Sequence, residues 1–216
     1  MNDDFDIRVI EETMSLLRGL ALERAVSVSD IVREALDEYL YTRSGGAGFA
    51  DVIRGIERAL YNAGGFMTSA DLSALALTAK SPIRYAHRPE LKYEVRIFRE
   101  DPASLGALSV ALRSHDMSIN RGFAEFVGLW MEFERRYLAR SHTDRIFYQT
   151  DVGYFSRGIY RPERSGHSDG YNISEAISGY ISVFDELLKY CLSHSGDAGA
   201  LERLYYARLR DGRLTI

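Results

Sequence analysis

Five histidines, His87, His115, His142, His167 and His194, stand 25 to 28 residues apart, so none forms a local metal pair. Two of them lie beside acids and hydroxyls, in "SHTDR" (141–145) and "SGHSDG" (165–170). Neighbours on a loop face different ways, so neither run builds the base and orienting group that proton transfer needs. No P-loop, GxGxxG or HExxH pattern occurs. The expectation is a protein with no catalytic residues, no metal and no cofactor, and therefore not an enzyme.

Two stretches could bind rather than react. "KSPIRYAHRPELKYEVRIFR" (80–99) sets Lys80, Arg84, Arg88, Lys92, Arg96 and Arg99 against only Glu90 and Glu94. It is the densest basic run, and on charge the best candidate to meet phosphate. "FYQTDVGYFSRGIYRPER" (147–164) interleaves Tyr148, Tyr154, Phe155 and Tyr160 with Arg157, Arg161 and Arg164. That pattern could stack on bases or a planar ligand, but is more often aromatic packing beneath a loop.

The elements that must position these residues are mostly helical in period. The 216 residues suffice for one large domain or two small ones, and 46% hydrophobic content is enough to bury a core. No run of 18 apolar residues exists, so no membrane span is expected, and the acidic "MNDDFD" start does not suit a signal peptide. The lone Cys191 excludes an intrachain disulfide and sits in an apolar helical pattern, which makes it a core residue in a reducing cytoplasm. Net charge is −4, unevenly spread. Residues 1–44 hold ten acids and five bases, whereas 45–216 hold 21 and 22.

Residues 5–9 ("FDIRV") alternate like a half-buried strand, and 11–24 fit a helix with Met14, Leu17, Leu20 and Ala21 on one face. Ser27 or Ser29 caps a second helix, followed by a flexible joint at 42–48. Further helices are expected at 49–62, at 69–79, from Asp101-Pro102 to about Ser114, from Ser118 to about Arg140, at 173–192 behind Asn172, and at 197–210. Residues 91–98 alternate as a strand with Leu91, Tyr93, Val95 and Ile97 on one face, and 142–171 read as a loop with short strands. The expected class is mainly α with short β ribbons: an N-terminal unit over 1–44 and a mostly helical α+β domain over 45–216.

Strand, helix, short turn and serine-capped helix within about forty residues resemble the ribbon-helix-helix family of transcription regulators, of the MetJ/Arc/CopG type. Phe5, Ile7 and Val9 match its apolar ribbon face, and "LLRGLALERAVSVSDIVREALDEYL" matches its two helices, with Ala25 where glycine is usual in the turn. The resemblance implies a homodimer or higher oligomer in which two chains pair their strands. It also implies a ribbon in the major groove of double-stranded DNA and a phosphate held by the backbone around Ser27, Val28 and Ser29. The outward ribbon residues are Asp4, Asp6 and Arg8, so only Arg8 attracts a duplex.

Residues 91–140 repeat the order of strand, helix, turn and helix, and read as a degenerate second copy. Lys92, Glu94 and Arg96 would form its outward ribbon face, with Asn120 and Arg121 at its second helix. The alternative is an ordinary strand followed by two packed helices. The expected function is a cytoplasmic, homodimeric DNA-binding regulator, with a protein partner or small ligand at the C-terminal domain. The competing reading is an interaction or scaffold module that keeps the dimer without binding DNA.

Overall fold

The computed structural model describes residues 11–24, 26–32, 35, 48–83, 89–98, 104–138, 147–160, 173–194, 197–212 and 214. The chain divides into two compact units, Met1–Gly48 and Phe49–Ile216. In the first, α1 (Glu11–Arg24) lies where the apolar spacing places it, and a second helical start covers 28–32. The ribbon residues Phe5, Ile7, Val9 and Arg8 lie outside the described residues.

The second unit runs α2 (Phe49–Ala63), β1 (Met67–Asp71), β2 (Ala76–Pro82), β3 (Glu90–Ile97), β4 (Ser104–Arg113), α3 (Met117–Tyr137), β5 (Tyr148–Asp151), β6 (Tyr154–Tyr160), α4 (Ile173–Ser193) and α5 (Ala198–Arg210). The strands form one six-stranded antiparallel sheet, ordered β1-β2-β3-β4-β6-β5. This overturns the mainly helical class and the mostly helical C-terminal domain; the unit is α+β around a large sheet.

Two helices expected from sequence are strands. Residues 69–79 carry Ala and Leu at helical spacing, yet Asp71 Oδ1 accepts the N–H groups of Ser73 (3.0 Å) and Ala74 (3.1 Å). That side-chain turn folds the segment back as a hairpin. Leu75 completes it with φ of 47°, unusual for a β-carbon-bearing residue, and is buried with its carbonyl accepting Ile97 N–H at 3.0 Å. Residues 104–113 place Leu108, Val110 and Leu112 inward in alternation, and β4 pairs with β3 on one side and β6 on the other. Two ladders of backbone bonds outweigh the helical preference of Ala and Leu. A β-carbon on Gly106 would lie 2.1 Å from the Arg96 carbonyl oxygen, at the register shift near the start of β4. Only glycine permits that approach.

The second ribbon-helix-helix copy at 91–140 falls with this result. It requires a helix where β4 runs, and its ribbon strand is β3, flanked on both sides within one chain.

One face of the sheet carries the core. Leu77, Ala79, Leu91, Tyr93, Val95, Leu108, Val110, Phe155 and Ile159 point to it, and α4 covers them while packing against α2, α3 and α5. α4 was legible: Ile177, Tyr180, Ile181, Phe184, Leu188 and Cys191 are all buried. Phe184 is central. Its ring centroid lies 4.9 Å from that of Trp130, 5.1 Å from Phe126, 5.4 Å from Phe155 and 6.2 Å from Tyr93. One side chain thus joins α3, α4, β3 and β6. Helix starts are fixed by acids: Asp116, not Ser118, caps α3 by accepting Ser118 N–H at 2.8 Å, and Asp197 caps α5 through Ala200 N–H at 2.9 Å.

Phe184→Ala is expected to destabilise the second unit by about 3–5 kcal/mol, since a fully enclosed aromatic leaves a cavity that packed neighbours cannot refill. Urea denaturation of wild type and variant measures it; a loss under about 1 kcal/mol would contradict the central position of this ring.

Candidate functional site

The first unit presents apolar surface. α1 leaves Leu16, Leu20 and Leu22 exposed, Val26 beyond it is exposed too, and among the described residues of the unit only Ala21 and Ile31 are buried hydrophobics. At the second helical start, Ser27 Oγ accepts Asp30 N–H at 3.1 Å, while Asp30 Oδ2 accepts Ser27 N–H at 3.2 Å and the Ser27 hydroxyl at 2.5 Å. This is a reciprocal capping box with aspartate in the acidic role. Of the two serines expected to cap, Ser27 does so. Val28 is half-buried and Ser29 exposed. The cap also puts a carboxylate on the Ser27 N–H that the family resemblance assigns to phosphate.

Of the basic residues singled out in sequence, Lys80, Lys92 and Arg96 share the outer face of the sheet, Arg121 lies on α3, and Arg84, Arg88 and Arg99 lie outside the described residues. Lys92 and Arg96 lie on the outer face of β3, away from the core, and both close on Glu94 at 3.1 and 2.5 Å. These two cations hold the Glu94 carboxyl below its ordinary range against the opposing effect of its partial burial. Lys80 likewise pairs with Glu90 at 3.1 Å. A strand hydrogen-bonded on both edges cannot enter a major groove as a two-chain ribbon. Asn120 and Arg121 sit on α3, whose Phe126 and Trp130 pack on the opposite, inner face. Asn120 Nδ2 is 3.4 Å from the Ser114 carbonyl, and Arg121 is exposed.

The most concentrated chemistry is buried, and sequence reading missed it. Glu134 of α3 and Arg157 of β6 form an ion pair with both side chains fully enclosed, Nε to Oε1 3.1 Å. Tyr148 Oη donates to Glu134 Oε2 at 2.5 Å, Tyr180 Oη donates to Oε1 at 2.9 Å, and Trp130 Nε1 donates to Tyr180 Oη at 2.7 Å. The Arg157 guanidinium lies 4.9 Å from the Tyr180 ring centroid. Burial opposes the Arg157 charge, and the adjoining Glu134 carboxylate more than restores it. Burial, then the Glu134 charge, drives the Tyr148 and Tyr180 hydroxyls far above their usual range, so both stay protonated donors. The signal was parity: Arg157 alternates with Phe155 and Ile159 on β6, so it had to face inward with them.

Nearby, the Tyr205 hydroxyl is buried without a hydrogen-bond partner among the described residues, its ring 5.1 Å from Trp130. A second inner cluster ties α4 to the sheet. Asp185 accepts from Tyr93 Oη at 3.0 Å and from Lys189 Nζ at 2.7 Å, and Lys189 also donates to Ser81 Oγ at 2.6 Å. Burial, with Glu125 adding, pushes the Cys191 thiol up, as fits a core residue. Among the described residues no group of three His, Cys, Asp or Glu is placed to hold a metal, and no helix is long and apolar enough to cross a membrane.

The Tyr154 and Tyr160 hydroxyls are both engaged on the outer face. Tyr154 Oη meets Ser109 Oγ at 3.1 Å, and Tyr160 Oη accepts Phe147 N–H at 3.1 Å. The 147–164 pattern therefore splits, with Tyr148, Phe155 and Arg157 inward and Tyr154 and Tyr160 outward. Arg161 and Arg164 lie outside the described residues.

No family model, curated protein or solved structure matches this chain.

Removing one member of the buried pair leaves the other charge uncompensated. Glu134→Ala is expected to cost about 3–5 kcal/mol, whereas Glu134→Leu combined with Arg157→Met recovers most of that loss. A double-mutant cycle in urea tests this; additive losses would mean that the two groups are not coupled.

Proposed function

We propose that this protein works as a homodimer assembled through its N-terminal unit, and that the dimer is a cytoplasmic, non-catalytic DNA-binding regulator of transcription. The observation that carries the reading is the exposure of Leu16, Leu20, Leu22 and Val26 in a unit where only Ala21 and Ile31 are buried hydrophobics among the described residues. Apolar side chains left exposed on α1 gain nothing within the chain to offset their ordering entropy, and a second copy would cover them. The Ser27-capped helix stands at the spacing that the ribbon-helix-helix resemblance requires. The lone, buried Cys191 suits a reducing compartment. The closed Glu134 cluster, with its carboxylate taken by three donors and fully enclosed, supports a structural rather than a catalytic C-terminal unit.

Duplex contact in this reading falls to Arg8 and the backbone around Ser27, Val28 and Ser29. A second reading, a dimeric interaction module without DNA binding, is favoured by the Asp30 carboxylate on Ser27 N–H and by the ten acids among residues 1–44. Both charges repel phosphate.

Two measurements separate these outcomes. Leu16→Asp with Leu22→Asp is expected to convert the wild-type dimer to monomer in sedimentation velocity; a folded wild-type monomer at micromolar concentration would end both readings. Fluorescence anisotropy with random-sequence duplex DNA is expected to show log affinity falling with log salt, by about 0.9 per phosphate contact, and Arg8→Ala is expected to weaken it. Wild type that binds no duplex even at low salt leaves the interaction module.

A further inference from the structure

The outer face of the six-stranded sheet carries a repeated arrangement that neither duplex binding nor dimerisation uses. No described helix of the second unit packs on it, since α2, α3 and α4 lie on the inner face. One cross-strand row runs Lys80, Lys92, Ala111, Tyr154. A second, four residues along β3, runs Ala76, Arg96, Ala107, Gly158. Gly158 is where the Tyr160 ring returns: a β-carbon there would meet Tyr160 Oη, Cε2 and Cζ at 2.8–3.0 Å. Each row therefore has a cation on β3, an alanine on β4 and a tyrosine ring over β6. The rings are held in place by their hydroxyls, Tyr154 on Ser109 and Tyr160 on Phe147 N–H.

The two rows lie roughly 13 Å apart, four strand residues at about 3.4 Å each. That distance spans about two nucleotides of an extended strand. Fixed aromatic rings on an open sheet, with cations alongside, are what unpaired bases and their phosphates require. Charge on this face is balanced: Lys80, Lys92, Arg96 and Arg113 stand against Glu90 and Glu94 of β3 and Asp71 and Asp151 of the edge strands, so stacking must supply what net charge does not. Between the two rows runs a third, Thr78, Glu94, Ser109, Ser156, which offers hydroxyls and one carboxylate. A carboxylate in that position repels phosphate but accepts from a ribose 2′-hydroxyl, as acidic residues do at nucleotide riboses.

We propose that this outer sheet face binds single-stranded RNA, with bases stacked on Tyr154 and Tyr160, phosphates near Lys92 and Arg96, and a ribose hydroxyl at Glu94. Lys92 and Arg96 thus keep a phosphate role, but on an open platform and toward an unpaired strand.

The test is anisotropy of the full chain with a labelled mixed-sequence RNA of about twelve nucleotides, the same sequence as single-stranded DNA, and duplex DNA, across a salt series. Each variant is first shown to melt as wild type does. Tyr154→Ala is expected to weaken RNA binding about tenfold, the loss of one stacked base. Lys92→Gln with Arg96→Gln is expected to flatten the salt slope by roughly 1.4, two contacts at about 0.7 each for a single strand. Glu94→Gln is expected to narrow the preference for RNA over DNA. Absence of RNA binding by folded wild type at low salt overturns the proposal, as does wild-type affinity in the Tyr154 and Lys92/Arg96 variants. Equal affinity for the DNA strand overturns the assignment to RNA. Variants that change the sedimentation coefficient but not RNA binding assign the face to a second copy and overturn it too. Arg8→Ala, which affects only the duplex arm, keeps failure of the regulator reading distinct from failure here.

Discussion

The ion pair between Glu134 and Arg157 constrains the second unit more than any other contact. Two charges withdrawn from water lose several kcal/mol of hydration each, and their attraction compensates only when every remaining lone pair has a donor. Glu134 meets that condition by drawing Tyr148 from β5 and Tyr180 from α4, and Tyr180 in turn holds Trp130 of α3. β6 must therefore lie inside the sheet, with Arg157 beneath the helices, and β5 must take the edge where Tyr148 can reach in. α5 joins through Tyr205, whose ring stacks edge-on against Trp130. One carboxylate thus registers two helices and two strands, and the Phe184 ring also joins α3, α4 and β6; an all-apolar core of the same volume would register them less specifically.

The same constraint makes the sheet one-sided. With the polar network and the Phe184 ring contacts on one face, all covering helices gather there, and the other face keeps the alternating polar residues of β2, β3, β4 and β6. An antiparallel sheet tolerates this, because each strand needs only one buried face. Charge on the outer face is balanced locally, in Lys80–Glu90 and in Lys92–Glu94–Arg96. Such exposed pairs add little stability. Their effect is to keep cations at the surface without a large net field, so any anion that binds there must also gain from stacking.

Legibility followed how far each segment's local preference agreed with its environment. α4 was clear because its apolar stripe is wide and repeats over five turns, and β3 because strict alternation has no helical reading. β4 failed because Leu105, Leu108 and Leu112 satisfy a helical period as well as Leu108, Val110 and Leu112 satisfy a strand's. Pairing with β3 and β6 decided between them, and that pairing is not local. The β1–β2 hairpin was hidden by Ala and Leu, although Asp71 two and three residues before Ser73 and Ala74 was a turn signal. Arg157 was read as part of a loop whose aromatic and basic residues either pack beneath it or stack on a ligand. Once 154–160 is a strand, its parity with Phe155 and Ile159 leaves only the interior, and an interior arginine demands an acid. Which acid could not be known without the crossing of α3 over β6.

The two units rest on different kinds of stability. The second closes a hydrophobic core within one chain. The first, in the proposed dimer, shares its core between chains, so its folding is coupled to association and weakens on dilution. Its capping box then has a double consequence. Asp30 accepts two hydrogen bonds at the start of the second helix, which favours that helix end. The same carboxylate lowers the affinity of that end for phosphate. In the proposed dimer, a unit that folds only on pairing would give up some affinity for phosphate to gain a better-formed dimer, and whatever the dimer binds would be occupied according to the concentration of the chain.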